Sequence, residues 1–253
     1  MKNHILLDGD IPAYQIAATN QVAVVDNDLG YGRYIFFADA IEDAIDEYLK
    51  DIQDRLEADK TTIFLTDSKN FRKKVYPAYK SNRMIVKQSD IPPVGLKHAK
   101  DYMTEKYAAV TFKNCEADDA IAYTATEPQK KEKRIMVSTD KDFEQVVGAW
   151  LYNPGKKDYE LHKINQTDGD MFLFSQVLAG DRTDGYNGID GVGMIGAKKM
   201  LVGSGVTWRN IVAQYKAKNY SEKYALQMAR CARLLRWGEY DPVTGEVSLW
   251  KPE

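Results

Sequence analysis

Ile5-Leu6-Leu7-Asp8 is a short apolar run closed by an acid, and the chain repeats that phrase at Ile63-Phe64-Leu65-Thr66-Asp67 and at Ile135-Met136-Val137-Ser138-Thr139-Asp140. Runs of this length, rich in β-branched and aromatic residues, read as buried strands. Ala108 to Phe112 reads as another. Helical patterns lie between them. Ala40 to Ala58 places Ile41, Ile45, Tyr48, Leu49, Ile52 and Leu56 at helical spacing, with acids on the opposite face. Strands alternating with helices predict an α/β fold with a largely parallel central sheet flanked by helices. In such a sheet ligands sit beyond the carboxyl ends of the strands, so Asp8, Asp67 and Asp140 are expected to converge although they are far apart in sequence.

More acids fall at similar places. Glu116-Ala117-Asp118-Asp119 opens a helical pattern, and Asp140-Lys141-Asp142 and Asp181-Arg182-Thr183-Asp184 form two further clusters. Each cluster alone reads as a turn or a helix cap. Together in one cleft their repulsion calls for divalent cations. The donors are hard oxygens, which favours Mg²⁺ or Mn²⁺. Cys115 and Cys231 form no CxxC unit and the three histidines are isolated, so neither a zinc site nor a disulfide framework is indicated.

At 253 residues with a net charge of −2, the chain is expected to form one compact body. That charge is unevenly placed. Lys69 to Lys100 holds nine basic residues against Asp90 alone, and Lys198 to Arg236 holds nine against Glu222 alone. The remainder is therefore strongly acidic. Basic segments on an acidic body suit a polyanion held beside bound cations, although solvated lysine-rich faces give the same count. No apolar run is long enough to span a bilayer, and a soluble, cytoplasmic protein is expected. Two hairpins are predicted, Val22 to Phe37 and Trp150 to Ile164, each joining β-rich arms through a turn cluster. From Gly188 the pattern turns to short glycine-punctuated helices and then a helix from about Ser221 to Trp237, with Lys223, Arg230, Arg233 and Arg236 in one sector.

The ordered phrases Leu7-Asp8-Gly9-Asp10, Thr66-Asp67-Ser68, Pro77-Ala78-Tyr79-Lys80-Ser81-Asn82-Arg83, Glu116-Ala117-Asp118-Asp119-Ala120, Ser138-Thr139-Asp140-Lys141-Asp142-Phe143 and Gly180-Asp181-Arg182-Thr183-Asp184-Gly185 resemble the motif series of flap endonucleases and bacteriophage 5′-3′ exonucleases. The resemblance covers about Leu6 to Lys199 and implies a two-metal DNA nuclease acting near 5′ ends, in bacteriophage DNA replication or DNA degradation. By that resemblance Asp8, Asp67, Glu116 and Asp118 surround one Mg²⁺ with Asp119 close by, and Asp140, Asp142, Asp181 and Asp184 surround the second. Paired ions about 3.5–4 Å apart activate water and stabilise an in-line displacement. Lys80 and Arg83 correspond to the family's substrate-handling lysine and arginine. Three residues apart on a helix, both would face one phosphate. Tyr14 matches an aromatic on which a terminal base stacks.

The same resemblance implies a helical gateway over about residues 68–93, with Arg72, Lys73 and Tyr79 meeting a single strand. Gly188 to Ala197 resembles a helix-hairpin-helix turn, in which Gly191 and Gly193 let duplex backbone approach and Lys198 and Lys199 reach phosphate. Where relatives often carry Lys after the last hairpin glycine, this chain has Ile195. Arg230 and Arg233 are expected on the duplex as well. These readings divide the chain into a nuclease body, 1–185, and a DNA-binding region, 186–253. Three alternatives exist: a haloacid-dehalogenase-type phosphatase, which also opens with Asp-x-Asp; a non-catalytic DNA-binding module; and a PIN-type ribonuclease.

Overall fold

A computed structural model describes residues 2–26, 31–84, 91–128, 131–157 and 160–252. Its centre is a six-stranded sheet in the order β5-β4-β1-β6-β7-β8. These strands are β1 (Lys2–Asp8), β4 (Ala58–Leu65), β5 (Val110–Thr111), β6 (Glu132–Val137), β7 (Trp150–Tyr152) and β8 (His162–Lys163). All neighbours are parallel except β7 and β8, which form the second predicted hairpin. The first hairpin stands apart as β2 (Gln21–Asp26) and β3 (Tyr31–Phe36), and its turn residues lie outside the described residues.

Alternation along the strands decides what covers each face. Ile5, Leu7, Ile63, Leu65, Ile135 and Val137 point to one side, where they meet α1 (Asp10–Thr19), α2 (Ala38–Arg55) and α4 (Leu96–Tyr107). Helix α2 presents Ile41, Ile45, Leu49 and Ile52, the stripe expected from its periodicity. Leu6, Phe64 and Met136 point to the other side and meet α5 (Ala117–Ala125) together with Phe143 and Val146. Each such side chain, fully buried, contributes about 1.5–3 kcal/mol. A further apolar cluster unites α6 (Gln166–Ala179), α7 (Met194–Ser204), α8 (Trp208–Ala217) and α9 (Glu222–Ala232), and it includes Tyr79 and Tyr186.

The chain leaves β1 for β4 on one side and later returns to β6 on the other. Strand order therefore reverses beside β1, and the crevice at its carboxyl end is where such sheets place their ligands. Asp8 is the last residue of β1 and sits there.

Two expectations fail in the last third of the chain. Helix α9 ends at Ala232, because Arg233 is extended at φ −81°, ψ 127°, so Arg233 and Arg236 do not continue its basic face. Arg236 turns inward and donates to the carbonyls of Leu234, Leu235 and Gln145. Among the described residues no helix is long and apolar enough to cross a membrane.

Candidate metal centre and nucleic-acid interface

Gly9 separates the first two acids of the crevice. A Cβ there would stand 2.6 Å from Ile63 Cγ2 and 3.0 Å from the Phe64 carbonyl, so only glycine lets this turn lie against β4. The turn aims Asp8 and Asp10 into one cleft of about 350 Å³. Glu116, Asp118 and Asp140 also line it, with Lys80, Lys100, Thr66 and Tyr14 around them. Acids from β1, from the loop after β6 and from the first turn of α5 thus converge. Ser138 ties two of them together, donating to Asp8 Oδ2 at 2.9 Å and accepting from the Asp140 amide at 3.0 Å.

Burial, followed by the charges of Asp10 and Asp140, raises the Asp8 carboxyl to about 7. Burial with Asp8 and Asp140 beside it pushes Asp118 far above the usual carboxylate range. Glu116 behaves differently. Burial would raise it, but the charges of Arg72 and Lys80 outweigh burial and hold it below its ordinary value. The Lys80 ammonium contacts Glu116 and stands 3.5 Å from Asp184.

Beside this cleft lies a second group. Asp140 accepts from the Asp142 amide, Asp142 accepts from Gln176, and Asp181 takes the amides of Thr183 and Asp184 as well as Lys141 at 3.1 Å. Burial, then the charge of Asp140, raises Asp142 to about 7. Asp181 stays low, since Lys141 and the two amides outweigh its burial. The Tyr79 hydroxyl links the groups, 3.0 Å from Glu116 and 2.9 Å from Asp184.

As the side chains stand, no three acids, histidines or cysteines among the described residues are close enough to hold an ion. The chain's own cations occupy the carboxylates instead: Lys80 on Glu116, Lys100 on Asp10 and Lys141 on Asp181. The donor chemistry still fits a hard divalent cation. The cleft lining has carboxylate oxygens in excess over two ammonium groups and contains neither imidazole nor thiol.

Several expected roles need correction. Asp119 is 0 % exposed, and both its oxygens are taken by Arg72 at 2.5 and 2.7 Å, so it lies behind the cleft and not in it. Arg72 in α3 (Arg72–Val75) is 1 % exposed and Tyr79 is 1 % exposed, so neither presents a surface to a strand, whereas Lys73 is exposed. Asp67 does not line the cleft. It accepts the amides of Ser68 and Asn114, and the Asn114 amide leads in holding its carboxyl low.

The helical argument for Lys80 and Arg83 does not hold either. Lys80 precedes the 3-10 turn Ser81–Met84 and adopts φ 55°, a left-handed conformation that orients its side chain independently of that turn. The Arg83 side chain and residues 85–90 of the expected gateway lie outside the described residues. Arg230 donates to the Trp250 carbonyl and Arg233 pairs with Glu239 at 2.7 Å, so both arginines are at least partly committed within the chain.

At Gly188 to Gly193 the chain turns into α7, bordering a second cavity of about 450 Å³ that Asp181 and Arg182 share. Gly191 has φ +77° and, like Gly193, open space where a Cβ would be. Lys198, Lys199 and Ile195 on α7 are all exposed. Lys100 and Asp10 were missed as cleft residues. Both lay within quoted signals, the basic run and the Asp-x-Asp phrase, but helical spacing alone does not show that α4 packs on α1.

The pattern of the 5′-3′ exonuclease, N-terminal resolvase-like domain matches residues 6–169. The exonuclease of Escherichia phage T7 is 27% identical over 227 residues, which span 74% of this chain and 72% of that protein. Flap endonuclease Xni of Shewanella sp. (strain ANA-3) is 28% identical over 177 residues, 67% of this chain and 66% of its own. Among solved structures, T5 5′-exonuclease with bound zinc superposes with a TM-score of 0.68 at 15% identity, covering 92% of this chain and 89% of that one. A bacteriophage T5 flap endonuclease in a complex with DNA and metal ions also gives 0.68, at 17% identity over 90% and 88% of the two chains. At these identities the structural likeness establishes the fold. The matched pattern, spanning more than half of the sequence, establishes the lineage: the chain belongs to the 5′-3′ exonuclease N-terminal resolvase-like domain family.

Proposed function

We propose that the protein is a divalent-metal-dependent nuclease that hydrolyses DNA phosphodiester bonds near 5′ ends, as a 5′-3′ exonuclease and 5′-flap endonuclease, with Mg²⁺ as its metal and the cytoplasm as its setting. One observation carries this reading. Five acids, from the end of β1, the start of α1, the start of α5 and the loop after β6, meet in a single cleft at the sheet's switch point, with two lysines and an exposed tyrosine at its edge. A monoester phosphatase would have no need for basic surface extending beyond the cleft. A passive DNA-binding module would carry the cost of these buried acids without return.

Asp8, Glu116, Asp118 and Asp140 would hold one ion, and Asp140, Asp142, Asp181 and Asp184 the other. When bound, the pair supplies an activated water and stabilises the attacking and leaving oxygens of an in-line displacement. The chain's own residues do the rest. Lys80, fixed by its backbone conformation and by the hydrogen bond its backbone amide donates to the Asp184 carbonyl, extends its ammonium over Glu116. A phosphodiester arriving there meets that cation, which offsets negative charge growing on the phosphate oxygens. Arg83 is assigned the same task from its place in the motif. Tyr14, 47 % exposed, offers its ring to a terminal base.

Residues 1–185 are assigned the chemistry and residues 186–253 the grip on duplex. In that grip Gly191 and Gly193 admit the phosphate backbone while Lys198 and Lys199 neutralise it. Cleavage of 5′-labelled flap, nicked, blunt and single-stranded DNA in Mg²⁺ tests the proposal, with a small phosphomonoester in parallel. Short 5′ products from DNA and no monoester turnover are expected. Monoester hydrolysis with intact DNA would overturn it.

A further inference from the structure

The Arg72 guanidinium has every nitrogen engaged. Nη1 and Nη2 hold Asp119 in a two-point bond, Nε donates to the Cys231 carbonyl at 2.9 Å, and Nη2 also donates to the Arg233 carbonyl at 3.0 Å. Nη1 additionally stands 3.7 Å from Glu116 Oε2. Asp119 is engaged on its own side, accepting from the Glu116 amide at 3.4 Å and the Leu235 amide at 3.3 Å. Glu116 and Asp119 also close the first turn of α5 reciprocally, each side chain on the other's backbone. That one turn carries Glu116 and Asp118, two walls of the cleft.

We infer that Arg72 and Asp119 are a positioning pair, touching neither DNA nor metal, that sets Glu116 and Asp118 for ion binding and ties them to α3 and the end of α9. The inference rests on the proposed metal-dependent function. The two-point bond fixes the orientation of the α5 first turn, and the remaining donors anchor that turn to the carbonyls at the end of α9. A side-chain partner buried this way usually changes metal affinity by about 10–100-fold when removed. It also destabilises the fold, because its former partner is left as an uncompensated buried charge. Stability alone therefore cannot distinguish positioning from packing.

The experiment is Mn²⁺ binding to the full chain by calorimetry, without DNA and well below each melting temperature, for wild type, Asp119→Asn, Arg72→Lys and the double variant Arg72→Met/Asp119→Leu. The double variant replaces the ion pair with apolar groups, a change that often restores stability. The inference expects at least about tenfold weaker Mn²⁺ binding in all three variants, including the double variant once its melting temperature has recovered. DNA affinity in EDTA and its salt dependence should stay at wild-type values; a lost phosphate contact would instead lower the slope by about 0.9. Wild-type Mn²⁺ affinity in Asp119→Asn or Arg72→Lys overturns the pair's role, as does recovery of affinity together with stability in the double variant. Absence of Mn²⁺ binding in the wild type itself would overturn the proposed function and this inference with it.

Discussion

Glu116 and Asp10 are paired with the chain's own cations, Lys80 and Lys100 at the mouth of the cleft and Arg72 behind it, whereas burial and neighbouring acids raise the carboxyls of Asp8 and Asp118. Asp142 and Asp181 are furnished differently. Among the described residues they meet the glutamine amide of Gln176, backbone amides and the largely exposed Lys141. Glu116 and Asp10 are thus held in place before any ion arrives, while Asp8, Asp118 and Asp142, whose carboxyls are raised by burial and neighbouring acids, rely more on bound cations. Rigid pre-placement of this kind suits the side where the reacting phosphate is oriented.

The comparison ranks the expected effects of substitution. Asp118→Asn and Asp140→Asn should have the largest, lowering single-turnover cleavage of a flap substrate by about 10²–10³-fold or more while leaving DNA binding in Ca²⁺ near wild type. Near-wild-type turnover of either variant in Mg²⁺ would contradict the assignment. Lys80→Met should come next, at roughly 10²-fold in rate with a modest change in DNA affinity, because its interaction strengthens in the transition state. A proportional loss of rate and affinity would make Lys80 an ordinary phosphate anchor.

A third expectation concerns pH. Asp8 and Asp142 ionise near 7 in the folded protein, against about 3.8 as the ordinary value. Between those limits the folded state binds more protons than the unfolded state, so these groups make the metal-free fold less stable as pH rises from about 4 to about 7. Metal-free Asp8→Asn, melted across that range, should gain stability relative to wild type as pH rises. A constant difference would show that Asp8 is not the buried, crowded acid described here. Stabilisation of wild type by Mg²⁺ should grow over the same range. Asp67→Asn should have the smallest effect on chemistry, within about tenfold in rate, since its oxygens bind the Ser68 and Asn114 amides and do not line the cleft. A loss matching that of Asp118→Asn would place Asp67 on the ion after all.

Much of the acidic site was legible because strand ends are topological landmarks. Once Ile5 to Leu7 and Ile135 to Val137 are read as neighbouring parallel strands, Asp8 and Asp140 have little choice about where they lie. The basic residues carried no such constraint. Arg72 reads as one cation among several beside Lys73 and Lys74, and nothing local shows that it alone faces Asp119, 47 positions away. The helical sector that grouped Arg230 with Arg233 and Arg236 assumed a helix through Trp237. The chain instead leaves the helix after Ala232, where Gln145 and Asp119 bind the amides of Leu234 and Leu235. Periodicity shows which residues share a face only while the helix lasts. It does not report partners contributed from a distant part of the chain.

The central claim is that acids gathered at the sheet's switch point hold divalent ions for DNA cleavage. Anomalous diffraction from crystals soaked in Mn²⁺ tests it most directly. The expected result is two adjacent peaks, one among Asp8, Glu116, Asp118 and Asp140 with Lys80 displaced from Glu116, the other beside Asp142 and Asp181. Peaks elsewhere, or a cleft without a peak and Lys80 still seated on Glu116, would contradict it.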